Sequence, residues 1–320
     1  MICLPWNWQG RWCVSLDFCG TLQVVSTVQL LEGSSLLSWR RQQLQRGGRR
    51  VDFDWLLDLA GGLSRSSLQR LLVEPQRSVQ LKVSLEDLER IWGLHLDQAI
   101  PLQHLVGFCP WRDVELTVSA AALIPRQETE LLVDLALQTT AGMSIERWAD
   151  LGTGSGALAI ALSRAMPATP GHAVDLSADA LALARSNLEA LASKGRWHLH
   201  QGCWWDPLEP WWGHFDLVVC NPPYIPSELI CDLDPVVRDH EPRLALAGGS
   251  DGLQAIREVV AGACRALSPG GWILLEHHHD QSDAVLALLR AAGLSSIRSA
   301  RDLEGVKRFA LARRLRPDQS

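Results

Sequence analysis

The 320-residue chain has one tyrosine, Tyr224, although it carries 14 tryptophans and 5 phenylalanines. It has no Cys-x-x-Cys pair; the eight cysteines, at positions 3, 13, 19, 109, 203, 220, 231 and 264, are scattered. That spacing excludes the usual zinc site and a disulfide framework, and buried free thiols in a reducing cytosol account for it better. A cytoplasmic protein without a bound metal is expected. No uninterrupted apolar run approaches the ~18 residues that span a bilayer, so no membrane partner is expected. Basic excess is lacking too: 30 Lys and Arg against 36 Asp and Glu leave a formal charge of -6. This balance argues against a protein that wraps nucleic acid. Internal repeats and low-complexity tracts are absent. With 47% hydrophobic and 21% charged residues the composition is that of a globular protein, and the length allows two domains.

Residues 1–33 look foreign to the rest. They hold Trp6, Trp8, Trp12 and three of the cysteines, with Arg11 as their only basic residue. They have neither the positive start nor the clean apolar core of a signal peptide. A loosely packed or disordered extension is one reading, and a start codon assigned too far upstream is another. Met143 is the next methionine, so a later start would use a non-ATG codon.

Residues 34–100 read as a small helical domain. Helical apolar spacing runs over 35–44 and stops at Gly47-Gly48; 52–60 closes at Gly61-Gly62; 64–73 precedes Pro75. Ser84-Leu85-Glu86-Asp87 resembles a capping box opening a fourth helix through Leu96. Residues 101–122 form a linker, with a β-hairpin expected over 104–109 and 113–119. From 123 to 320 strands and helices alternate. Strands are expected at 147–151, 173–176, 197–201, 216–221, 272–277, 296–300 and 308–313, with helices at 157–165, 178–192, 253–267 and 281–292. Such alternation implies a mainly parallel sheet covered on both faces, and the short link between the last two strands makes them antiparallel. The densest basic run is Arg40, Arg41, Arg46, Arg49 and Arg50. A solvated helix face explains it, and a partner-binding patch is the alternative.

Asp150-Leu151-Gly152-Thr153-Gly154-Ser155-Gly156 closes a strand and opens a helix. Alternate glycines let the backbone turn sharply and let a ligand lie against it, and the amides of the following helix favour an anionic group. Gly152, Gly154 and Ala157 also satisfy the looser dinucleotide pattern. Asp175, 19 residues after Gly156, can accept both ribose hydroxyls. A nicotinamide oxidoreductase and a methyltransferase share these features.

Asn221-Pro222-Pro223-Tyr224 separates the two readings. It follows the apolar run 216–220, and two prolines must break the strand into a rigid loop at its carboxyl end, where open α/β sheets bind ligands. The Asn221 oxygen and the Pro222 carbonyl can accept from a planar NH2 group, and the Tyr224 ring can stack on it. The stretch resembles the signature of S-adenosylmethionine-dependent methyltransferases acting on amide or exocyclic amino nitrogens. Proline and asparagine merely making a turn is the plainer alternative.

With these residues in hand, the chain resembles the bacterial HemK/PrmC family, the protein-(glutamine-N5) methyltransferases of class 1 peptide chain release factors. The likeness covers residues 34–315. It rests on Pro101–Gly107, on Leu123-Ile124-Pro125-Arg126-Gln127-Glu128-Thr129-Glu130, and on the Gly-rich and Asn-Pro-Pro-Tyr motifs. His240-Glu241-Pro242 and Gly248–Leu253 also carry it. The resemblance implies a class I, Rossmann-like α/β methyltransferase fold with a seven-stranded, mainly parallel sheet. It implies S-adenosylmethionine as cofactor at Gly152, Thr153, Gly154, Ser155, Gly156, Asp175, Trp204 and Asn221. Asn221, Pro222, Pro223 and Tyr224 would hold the substrate glutamine, and catalysis would be by positioning, since no strong base stands in the loop. One departure is Cys203 before Trp204, where the family carries an acidic residue; losing that hydrogen bond would weaken cofactor binding by ~1 kcal/mol. A glutamine methyltransferase of a large-subunit ribosomal protein would have the same loop. A nucleic-acid amino methyltransferase would need a basic recognition region, which the sequence lacks. Trp204-Trp205 and Trp211-Trp212 read as packing rather than base stacking, and Glu276 to Asp280 as a strand end rather than a metal site.

Overall fold

A computed structural model describes residues 28–316, so most of the first 33 residues lie outside the described part. The chain divides into two compact units, Met1–Gly107 and Phe108–Ser320.

In the first unit, β1 (Gln29–Glu32) pairs antiparallel with β2 (Ser78–Leu81), Gln29 opposite Leu81 and Glu32 opposite Ser78. The unit therefore starts before residue 34, which corrects the expected boundary. Helices α1 (Gly33–Gln45), α2 (Arg50–Leu59), α3 (Arg65–Val73) and α4 (Leu85–Gln98) lie where the periodicity puts them. The Ser84 hydroxyl caps α4, accepting from the Asp87 amide at 3.1 Å and donating to its carboxylate at 2.7 Å. Phe53, Leu56 and Leu57 recur at helical spacing and bury against Leu36, Ile91 and Trp92. Phe53 meets Trp92 edge-on, the centroids 4.9 Å apart.

Deleting residues 1–33 removes β1 and with it Gln29, whose side-chain oxygen accepts from the Leu85 amide at 2.8 Å at the start of α4. A calorimetric scan of that deletion should show the first unit melting several degrees lower, since ~1 kcal/mol shifts a domain of this size by about 4–8 °C. Unchanged melting would mean the strand is dispensable.

Four of the five arginines of the basic run are paired with acids, and Arg41 is exposed. Arg40 is buried and forks onto Asp54 through Nε at 2.6 Å and Nη2 at 2.8 Å. Arg46 pairs with Glu89, Arg49 with Asp52 and Arg50 with Asp54. Arginines spaced along α1 and the start of α2 neutralise acids on α2 and α4, a pairing that linear charge counting does not see. The fifth helix, α5 (Leu102–Val106), replaces the first hairpin strand expected from 104; Leu102 and Leu105 bury three apart, and Gly107 ends the helix at φ 83°.

The second unit opens with a hairpin of β3 (Phe108–Trp111) and β4 (Val114–Thr117). Next come α6 (Glu130–Thr139), β5 (Trp148–Leu151), α7 (Ala157–Ala165) and β6 (Gly171–Asp175). They are followed by α8 (Ala178–Leu191), β7 (Trp197–Gln201) and β8 (Phe215–Cys220). Two short helices, α9 (Pro235–Arg238) and α10 (Arg243–Leu246), precede α11 (Gln254–Ala266) and β9 (Leu267–Glu276). The unit ends with α12 (Ser282–Ala291), β10 (Ser295–Arg301) and β11 (Lys307–Arg313). Seven strands form one sheet in the order β10-β11-β9-β8-β5-β6-β7. β9-β8-β5-β6-β7 are parallel, and β11 runs antiparallel to both β9 and β10.

Strands buried on both faces read as continuous apolar runs. On β8, Leu217 and Val219 pack with residues of α6 and α7, while Val218 and Cys220 pack with residues of α11 and α12. Each such side chain contributes roughly 1.5–3 kcal/mol of burial. The chain order reverses at β5, which has β6 on one side and β8 on the other; the crevice at such a switch point is where this architecture places ligands. Of the described cysteines, Cys109 and Cys220 are buried, Cys203 and Cys231 are exposed, and Cys264 is between. The expected burial of the thiols therefore holds for Cys109 and Cys220 and not for Cys203 or Cys231.

Candidate active site

The crevice holds a cavity of about 400 Å³, of the size that takes a small-molecule ligand. The loop after β5 forms its floor. Gly152, Gly154 and Gly156 all have positive φ (75°, 55° and 87°), which side chains rarely adopt. A Cβ on Gly152 would come within 3.3 Å of the Trp204 ring, so glycine sets how close that ring lies to the loop. Buried Asp150 anchors the turn by accepting from the Thr153 hydroxyl at 2.7 Å and the Ala159 amide at 3.2 Å. Burial pushes its carboxyl up to about 7, those two bonds pulling the other way.

Most of the loop amides are used within the protein, which narrows the expected anion cradle. Gly152 and Thr153 donate to the Val174 carbonyl, Gly156 to that of Thr153, and Gly154 to the Asp175 carboxylate at 2.8 Å. What remains for an anion is the amides of Ser155 and of Ala157 and Leu158 at the start of α7, since that of Ala159 is held by Asp150. Asp175 ends β6 and also accepts from the Ser177 amide at 2.9 Å, so both oxygens are oriented at the cavity wall. Gly156 does not line the cavity. A Cβ there would meet the α8 backbone at Ala184, at 3.3 Å, so this glycine serves helix packing.

Asn221 stands at the end of β8 and lines the cavity. Its Nδ2 donates to Thr129 Oγ1 at 3.1 Å, and that hydroxyl donates to Glu276 Oε2 at 2.8 Å. Because Thr129 gives its only proton to Glu276, it can only accept from Asn221, which settles the amide orientation. Asn221 Oδ1 is left as an acceptor for a ligand. The Tyr224 hydroxyl donates to the other Glu276 oxygen at 3.3 Å. One buried carboxylate thus braces Asn221, through Thr129, and Tyr224. Burial pushes the Glu276 carboxyl up to about 7, against the pull of the two hydroxyls. Burial, then Glu276, raises the Tyr224 phenol, so it stays a donor.

Pro223 lines the cavity, whereas buried Pro222 and partly buried Tyr224 do not. After Tyr224 the chain is tied to residues 246–249: Ile225 donates to Leu246, Gly248 to Ile225 and Ser227 to Gly249. Gln281 donates to the Tyr224 carbonyl at 2.9 Å. Arg126 reaches buried Glu241 at 2.7 Å, joining two motifs 115 positions apart.

Sequence reasoning brought Gly152, Thr153, Gly154, Ser155, Asp175, Trp204, Asn221 and Pro223 to one cavity. It missed Thr129 and Glu276, and also Glu258 of α11, which lines the cavity and accepts from the Trp204 indole N–H at 2.9 Å. Glu276 was visible as the acid that closes the apolar strand β9 next to β8, a strand-end signal like the one that marked Asn221. Among the described residues no group of three or more His, Cys, Asp or Glu could hold a metal ion, and no helix is long and apolar enough to cross a membrane.

The Gly152 cradle against Trp204, the oriented Asp175 carboxylate and the Asn221 acceptor fit a nucleoside-bearing cofactor. A family model described as a methyltransferase small domain matches residues 127–229. The chain is 56% identical over 295 residues to the release factor glutamine methyltransferase of Prochlorococcus marinus, covering 92% of this chain and 100% of that protein. Proteins of the same name match at 38% identity in Synechocystis (89% of this chain, 98% of that one) and at 39% in Caulobacter vibrioides (82% and 88%). Among solved structures, the hMettl16 catalytic domain in complex with MAT2A 3'UTR hairpin 1 matches with a TM-score of 0.52 at 15% identity, over 84% of this chain and 93% of that one. That likeness bears on the fold alone.

Proposed function

Because the chain belongs to the release factor glutamine methyltransferase family, we propose that it methylates the glutamine side-chain nitrogen in the Gly-Gly-Gln loop of class 1 peptide chain release factors, with S-adenosylmethionine as donor. The chain is a methyltransferase; the donor and the target loop are the reading proposed. The observation that carries it is the Asn221–Thr129–Glu276 relay, which ties back the amide nitrogen of a cavity-lining residue and leaves its oxygen to accept.

When bound, S-adenosylmethionine supplies an electrophilic methyl group on a sulfonium. The side chains do the rest. Asp175 accepts the ribose hydroxyls, Trp204 packs on the purine, and Ser155 with the first turn of α7 receives the carboxylate. Asn221 Oδ1 and the main-chain carbonyl of Pro222, a residue outside the cavity lining, would accept hydrogen bonds from the two N–H groups of the glutamine amide. An amide nitrogen is a weak nucleophile because its lone pair is delocalised into the carbonyl. Holding both hydrogens would turn that lone pair toward the reacting carbon, and orientation of this kind lowers a barrier by several kcal/mol. As the nitrogen–carbon bond forms, the carbon–sulfur bond is given up to the leaving thioether, and the nitrogen loses one of its two protons during or after transfer. Tyr224, braced by Glu276, closes the loop behind the amide.

Purified enzyme incubated with labelled S-adenosylmethionine and an intact release factor should place one methyl on that glutamine nitrogen, mapped by mass spectrometry. Methylation of a ribosomal-protein glutamine, or of DNA or RNA, with the factor untouched would overturn the substrate reading.

The brace also sets a pH dependence. Ionised Glu276 accepts from both hydroxyls; protonated, it must donate one bond, and Thr129 or Tyr224 loses its acceptor. A carboxyl raised to about 7 is ionised above that pH and protonated below it. Turnover at saturating substrates should therefore rise with pH through about 7 and level off above. In Glu276→Gln this limb should vanish, with turnover roughly 10-fold lower throughout, the scale of one lost positioning contact. An unaltered profile in Glu276→Gln would assign the limb to another group.

A further inference from the structure

Two acids line the cavity, Asp175 and Glu258. Asp175 is taken up by the Gly154 and Ser177 amides and the place where a ribose would lie. Glu258 reaches in from α11, beside Gln254 and Ala255, to the wall formed by Trp204. The Trp204 indole N–H donates to Glu258 Oε2 at 2.9 Å, and Gln254 Nε2 donates to Oε1 at 3.3 Å. Trp204 itself sits at φ 42°, an uncommon conformation for a side-chain-bearing residue. The carboxylate is thus held at the edge of the flat ring that faces the glycine cradle.

A carboxylate offers about four lone-pair directions, and the two protein donors use two of them. A planar ligand stacked on Trp204 would present its edge to the remaining pair. The neighbouring side chain at that edge is Cys203, whose thiol is a weak acceptor and is pushed up by burial, then by Glu258 and Asp206. The strong acceptor on this wall is Glu258.

We propose that Glu258 reads the 6-amino group of the cofactor purine, accepting its N–H and rejecting a purine with a 6-oxo group. This rests on the cofactor reading above. A 6-amino group donates to a carboxylate, whereas a 6-oxo group places two acceptors face to face. Sites built to hydrogen-bond one group discriminate strongly against its absence.

Calorimetric titration with S-adenosylhomocysteine and S-inosylhomocysteine tests the idea without turnover. The native enzyme should bind the adenosyl ligand roughly 10–100-fold more tightly, the range of one charge-assisted bond. In Glu258→Gln the side-chain oxygen still accepts from Trp204, and the new NH2 can donate to a 6-oxo group. The preference should then fall below about 3-fold, by weaker adenosyl and stronger inosyl binding. Equal loss for both ligands, or an unchanged preference, would show that Glu258 only holds Trp204 and would overturn the proposal. If the native enzyme binds neither ligand, the cofactor reading itself fails. Glu258 is exposed on its helix, so the variant should melt with the native protein.

Discussion

Asn221→Ala is expected to lower turnover ~10²–10³-fold, the scale of removing one preorganised polar contact from a transition state, and to leave cofactor affinity within a few-fold. The large effect follows from what the side chain does at both ends. Its Nδ2 is fixed by Thr129 at 3.1 Å, so Oδ1 is oriented before substrate arrives and reorganises little during reaction. Alanine removes the acceptor and leaves Thr129 with a lone pair facing the gap. Single-turnover rates at saturating release factor, with cofactor Kd measured alongside, separate the two roles. Turnover near that of the native enzyme would exclude Asn221 from positioning the amide. A loss confined to cofactor Kd would move it to the cofactor site.

Asp175→Ala is expected to raise the Kd for S-adenosylmethionine by about 10–150-fold, because hydrogen bonds to a charged acceptor are worth roughly 1.5–3 kcal/mol. Two effects act together. The ribose loses its acceptor, and the Gly154 amide loses the partner that holds the glycine loop at 2.8 Å. Asp175→Asn separates them: an amide oxygen can still accept from Gly154, yet it lacks the charge that strengthens bonds to the ribose. Its affinity should fall between the native and alanine values. Calorimetry showing native affinity in Asp175→Ala would place the ribose elsewhere, and equal losses in both variants would assign the effect to charge alone.

The fold was largely legible because its signals are local. A strand such as 216–220 is an unbroken apolar run ended by prolines. The helix after Gly156 begins where three glycines stop. Sequence pattern located β7 and α7 to the residue. It failed where local and distant forces compete. Residues 104–106 alternate well enough for a strand, yet Leu102 and Leu105 bury together only as a helical turn. The segment 29–32 has no periodicity of its own and becomes a strand because residues 78–81 lie beside it.

The candidate site divides the same way. Glycines, Asp175 and Asn221-Pro222-Pro223-Tyr224 announce themselves, since each carries a conformational or chemical demand within a few positions. Thr129 and Glu276 do not: they lie 147 positions apart and meet only because α6 packs across the sheet near the end of β9. Arg40 misled for the same reason, its charge being matched by Asp54, 14 positions on.

The sequence by itself determined the class of fold, the order along the chain of the seven sheet strands and of α7, α8, α11 and α12, the glycine turn and the rigid proline loop. Each follows from backbone sterics and from a hydrophobic period read over a few residues. It did not show β1, β2, α5, α6, α9 or α10. Only the tertiary structure decided which way the Asn221 amide faces, which carboxylate braces it, and which acid stands at the Trp204 wall. Those depend on directional bonds a few ångströms long between side chains that the chain brings together only after it has folded.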